Sequence, residues 1–153
     1  MKKIDLGQTI GLFANLGVLV GILLLVYELN QNREMMKAQT RHEMSQGIVD
    51  LLLTEATNPE LNRILNRGLS GEEITGAELE RLEIMMSAYF RYWEDVHYQY
   101  RAGLYDDSEF SRQKQSWANL LTSRSALEYW CGVRDRYSEA FVMEMDSLLP
   151  GKC

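Results

Sequence analysis

Apolar and polar positions along this chain fall into two regimes. From Leu6 to Tyr27 no charged residue occurs, and IGLFANLGVLVGILLLVY within it is almost continuously apolar. After Tyr27 the apolar residues thin out and recur three and four apart, the spacing of amphipathic helices, and no stretch alternates as a strand would. The pattern predicts an all-α protein in which one N-terminal transmembrane helix continues into a small helical bundle. Its expected divisions are 1–29 for tail and span, 30–47 for a polar juxtamembrane stalk, and 48–153 for the bundle.

A helix over the uncharged segment is roughly 33 Å long at 1.5 Å per residue, which matches the hydrocarbon core of a bilayer. Its polar members Gln8, Thr9 and Asn15 lie in the first half, and Val18 to Val26 is interrupted only by Gly21, so insertion is strongly favoured. Lys2 and Lys3 also resemble the basic start of a secretory signal peptide. No small-x-small cleavage site follows the apolar run before ELNQNREMMK, and the segment is therefore expected to remain as an anchor.

On a helical wheel Gly7, Gly11, Ala14, Gly17 and Gly21 share an arc of about 120°. Two GxxxG spacings occur within it, and small residues let two helix backbones approach closely in lipid. Glycine is also simply common in membrane helices, but with Asn15 beside the stripe as an interhelical hydrogen-bonding group, self-association in the membrane is an expectation. Beyond the span Arg33, Lys37 and Arg41 recur every fourth residue and form a basic ridge suited to anionic headgroups. Set against Lys2 and Lys3 ahead of the span, that ridge leans the helical domain towards the cytoplasm.

Within the domain the first helix is expected to stop at Thr57, with Asn58 as N-cap and Pro59 at the first position of a short helix carrying Leu61, Ile64 and Leu65 and ending near Gly68. Thr75 and Glu78 read as a capping box ahead of a seam formed by Leu79, Leu82, Met86, Tyr89, Trp93, Val96 and Tyr100. Gly103 ends that helix. Asp106 and Glu109 open another bearing Phe110, Trp117 and Leu121, and a last helix places Ala126, Trp130, Val133, Tyr137, Phe141, Met145 and Leu148 on one face. Short connections between such elements predict an up-and-down bundle.

A formal net charge of −6 argues against nucleic acid as a partner, because phosphate neutralisation needs clustered basic surface. The two cysteines supply no CxxC ligand pair. Cys131 reads as a buried small apolar residue and Cys153 as a free tail thiol.

Chemistry-bearing patterns are few. Glu94 and His97 form one Glu-x-x-His step, whereas carboxylate-bridged di-iron bundles use two such steps and two further glutamates. Only a weak metal candidate results, and mutual satisfaction at the core's edge is the more ordinary use of such a pair. The stretch YWEDVHYQYRAGLYDD, with Tyr92, Trp93, Glu94, His97 and Tyr100, is dense in aromatic and acidic residues. It suits a groove for a cationic or aromatic small molecule, although core with a solvated rim is the commoner outcome. No serine or cysteine stands in a glycine-rich nucleophile turn.

The anchor running into LVYELNQNREMMKAQ, the stretch HYQYRAGLYDDSEF with Trp117 beyond it, and EYWCGVRDRYSEAF resemble a group of uncharacterised bacterial proteins with one N-terminal membrane helix and a helical domain. That resemblance implies the bacterial inner membrane, the same architecture and a cytoplasmic domain. It implies no activity, and this chain departs from the commoner form in carrying Lys2 and Lys3 before the span. The expected function is a non-enzymatic, membrane-anchored, self-associating scaffold or accessory protein that uses no cofactor and whose partners are the lipid bilayer and its own copies. A membrane-tethered small-molecule sensor is the first alternative, and a metal-dependent enzyme using Glu94 and His97 the second.

Overall fold

A computed structural model describes residues 6–149 and 153. Six α-helices run in the order α1 (Leu6–Ala56), α2 (Pro59–Ser70), α3 (Ala77–Arg101), α4 (Asp107–Leu120), α5 (Arg124–Val133) and α6 (Glu139–Leu148), with a 3-10 turn at Arg134–Arg136. Among the described residues there is no strand. The protein is all-α, as the periodicity predicts.

The chain divides into two compact units, Met1–Gln39 and Thr40–Cys153. In the first, the apolar residues of α1 are exposed along the length of the uncharged run, from Ile10 through Leu16, Leu19 and Leu23 to Leu29. This is the one helix among the described residues long and apolar enough to cross a membrane, and none of its most apolar window is buried. The second unit takes in the end of the stalk, since Thr40 and Met44 are both buried in it.

Local signals set most of the ends in the second unit. Asn58 has extended backbone and its side chain accepts from Leu61 N–H at 3.1 Å, with Pro59 opening α2, the geometry in which a missing proline N–H costs nothing. Gly71 closes α2 at φ 87°, a left-handed conformation that glycine adopts freely. Asp106 accepts from Ser108 N–H and Glu109 N–H at the start of α4.

Three expectations are corrected. Thr75 and Glu78 form no capping box: Gly76 is the N-cap of α3 and no side chain caps it. Glu78 is drawn instead to the guanidinium groups of Arg63 and Arg67 on α2, a charged pairing that outcompetes a single bond to a backbone N–H. The last helix is not continuous either. Tyr137 is extended at φ −111° and ψ 162° between the 3-10 turn and α6, and the Ser138 N–H is taken by Glu94 of α3.

The same break brings the two cysteines together. In one straight helix Cys131 and Cys153 would stand roughly 30 Å apart at 1.5 Å per residue; with the chain folded back they are bonded to each other, Cα to Cα 5.4 Å. Neither is a free thiol.

The core is built around α3. Phe90, Trp93, Trp117, Trp130 and Phe141 are essentially buried, and Phe90 stacks on Trp130 at 5.2 Å while Trp93 stacks on Trp117 at 5.3 Å. The buried stripe of α3 is wider than a heptad seam: Met85, Phe90 and His97 join Leu82, Met86, Trp93 and Val96, whereas Leu79 is exposed. Neighbours on several sides of α3 account for that width. Gly68 lets α2 approach, because a Cβ there would lie 2.7 Å from Leu82 Cδ2.

Candidate functional site

The candidate residues fall in two regions, the exposed apolar helix and the centre of α3. In the first, Gly7, Gly11, Ala14, Asn15 and Gly17 are exposed and Gly21 partly so. No atom lies within 4 Å of a Cβ built on Gly11, Gly17 or Gly21, so nothing in the chain itself occupies the small-residue face at these positions. Of the basic ridge, Arg33 is exposed, Lys37 pairs with Glu34 at 3.0 Å and Arg41 with Glu109 of α4 at 2.8 Å.

The five residues expected to line one ligand groove are distributed around α3. Trp93 and His97 are buried, the imidazole between Phe110 and Phe141 at ring distances of 5.9 and 5.8 Å. Tyr100 stacks on Phe110 at 3.9 Å. Tyr92 turns the other way and donates its hydroxyl to the Met44 carbonyl at 2.9 Å; burial, with Tyr105 and Asp95 nearby, pushes its phenol up to about 12.

Glu94 takes part in a clamp between α3 and the α5–α6 connection. Its Oε1 accepts from Ser138 N–H at 2.7 Å and its Oε2 from Arg91 at 2.7 Å. Arg91 also donates to the Arg136 carbonyl at 3.0 Å and lies 4.2 Å over the Tyr137 ring. Burial pushes the Glu94 carboxyl up, but the Ser138 and Arg91 bonds outweigh it and hold the group below the usual carboxylate range.

His97 Nε2 is 3.8 Å from Glu144 Oε2, and Lys114 is 2.8 Å from Glu144 Oε1. Burial lowers the imidazole pKa, and the opposing pull of Glu144 does not reverse it. Glu94 and His97 gather no third ligand: among the described residues no group of three His, Cys, Asp or Glu side chains comes together to hold a metal.

No family profile matches this chain, and no curated protein or solved structure is similar to it.

A cavity of about 570 Å³ opens between the end of α1 and helices α2, α3 and α4. Ile48, Leu52, Leu65, Met86 and Trp93 supply its apolar wall, and Gln113, Ser116 and Asn119 of α4 a polar one. At its edge Tyr89 donates to Glu55 at 3.3 Å, and burial, followed by the Glu55 charge, raises this phenol to about 12. Of the five groove residues expected from sequence only Trp93 reaches this cavity. The spacing of Gln113, Ser116 and Asn119, three residues apart on one helical face, is the signal that points to it.

Proposed function

We propose that this chain is a single-pass protein of the bacterial inner membrane whose helical domain serves as a self-associating scaffold or accessory protein. One observation carries the reading: none of the most apolar window of α1 is buried, while Thr40–Cys153 buries a core of its own. Exposed apolar surface on that scale is unfavourable in water by roughly 25 cal/mol per Å² and is stable in lipid, where the helix satisfies its own backbone polar groups. Open space at Gly11, Gly17 and Gly21 supports pairing of two such helices, since close packing of small residues is what drives association in a bilayer.

Carbonate extraction and native mass spectrometry in detergent test the two halves of this reading. The protein should stay with the membrane pellet and run as a homo-oligomer, and Gly17→Ile with Gly21→Ile should shift it towards monomer. A carbonate-soluble chain removes the anchor, and a wild type strictly monomeric at micromolar concentration removes the self-association.

The cavity beside Trp93 favours a second reading, a membrane-tethered module that binds a small amphipathic molecule. Mass spectrometry of compounds released from the purified protein, or a gain in melting temperature in a metabolite screen, would support it. Ser116→Trp, which fills the cavity, should abolish either signal, and an unchanged signal would rule the cavity out.

A further inference from the structure

We infer that the helical domain lies on the oxidising, periplasmic face of the membrane, where Cys131 and Cys153 are joined after the chain has crossed. The inference rests on the single-span reading above and assigns its sidedness.

The bond joins α5 to the chain beyond α6 across 22 residues of sequence. Cys153 is exposed and Cys131 partly so. A disulfide that solvent can reach is kept reduced in a bacterial cytosol by the glutathione and thioredoxin pools, and persists in the periplasm. Packing has already brought the two positions together. The turn at Tyr137–Ser138, held by Glu94 from α3, folds α6 back, and Trp130 of α5 meets Phe141 of α6 at 5.6 Å.

Charge does not oppose this strongly. Lys2 and Lys3 precede the span and Arg33, Lys37 and Arg41 follow it, a nearly even count under a rule that reads basic residues alone. Two of the three that suggested a cytoplasmic leaflet are engaged within the protein, Lys37 with Glu34 and Arg41 with Glu109.

Formation of the bond removes two protons and two electrons from the two thiols. The acceptor is a protein disulfide of the thiol-oxidase class, which leaves as its dithiol. The more exposed Cys153 thiolate attacks it to form a mixed disulfide, and Cys131 then displaces the oxidant.

Full-length protein in growing cells tests the inference directly. Cells are quenched in acid, free thiols are blocked with N-ethylmaleimide under denaturing conditions, and the sample is reduced and treated with a maleimide-polyethylene glycol. Wild type should gain two polymer adducts after reduction and none without it, as a monomer on a non-reducing gel. Cys131→Ser should gain none in either condition. An alkaline phosphatase fused after Cys153 should be active, since that enzyme folds only where disulfides form.

Free thiols in a carbonate-resistant protein, with an inactive fusion, overturn the sidedness and leave the anchor standing. An oxidised pair in a carbonate-soluble protein would remove the anchor and keep the oxidising compartment. A cross-linked dimer on the non-reducing gel would overturn the intrachain pairing.

Discussion

Glu94 on α3 accepts the backbone N–H of Ser138, 44 residues away in sequence, at 2.7 Å. This bond occupies the position where α6 begins, so a carboxylate on one helix fixes the entry of another. Negative charge there also faces the positive end of the α6 dipole.

Glu94→Ala should therefore destabilise the domain by about 1.5–3 kcal/mol, the range for a hydrogen bond to a charged group. Chemical denaturation read by tryptophan fluorescence measures it. Because the folded carboxyl lies below its ordinary value, the stabilisation is full above the unfolded pKa and fades as pH falls through the folded one. Wild type should lose its advantage over Glu94→Ala on acidification below about pH 4.5. An equal gap at all pH values would show that the carboxylate charge is not what holds Ser138.

His97 gives a second, separate pH window. Its imidazole is buried between Phe110 and Phe141 and its pKa is lowered by burial, with Glu144 opposing, Arg101 and Lys114 assisting and Glu94 opposing. The unfolded chain then binds the proton more readily than the folded one. Stability from the neutral ring is full above about pH 6.5 and falls as pH drops from there towards the folded pKa. His97→Phe should flatten the melting-temperature profile on acidification below about pH 6.5. A profile as steep as wild type would mean that another group titrates there.

Gly68→Val should be destabilising by about 1–3 kcal/mol, the usual cost of forcing volume into a packed site. Both Leu82 and Ile74 crowd the position where a Cβ would stand, at 2.7 and 3.1 Å. Pairing it with Leu82→Ala should give a loss smaller than the sum of the two single changes. Strict additivity in a double-mutant cycle would refute the proposed contact.

Reduction of the Cys131–Cys153 bond should lower stability by about 3 kcal/mol, from the entropy of a closed loop of this length in the unfolded chain. For a domain of this size that corresponds to a melting point on the order of 10 °C lower. The Cys131→Ser, Cys153→Ser protein should melt near the reduced wild type and be indifferent to reductant.

Much of the helical order is legible in the chain because its signals are local. Asn58–Pro59, Asp106 and Gly103 act within a few residues of themselves, and the structure uses each where the pattern predicts it. What escapes is decided by partners far along the sequence. Glu78 looks like a capping residue until Arg63 and Arg67 are brought beside it. Ala126 to Leu148 keeps one apolar face in register, and only Glu94 beneath Ser138 marks where the helix breaks. The cysteine pair follows from that break, so its spacing alone could not reveal it.

Dense aromatic character near Tyr92 is legible too, but composition does not say which way a ring turns. Trp93 packs on Trp117, Tyr100 on Phe110, and Tyr92 reaches Met44. These rings make a core, and a cavity lies beside Trp93 at its edge.

All three tryptophans of the chain, Trp93, Trp117 and Trp130, lie in that core, and the exposed apolar helix has none. Tryptophan emission, excited where tyrosine (Tyr27 of α1 included) does not absorb, thus comes from the domain alone in micelles or vesicles. Lipid, detergent and oligomer state can be varied while one spectroscopic channel follows the packing of α3 against α4 and α5.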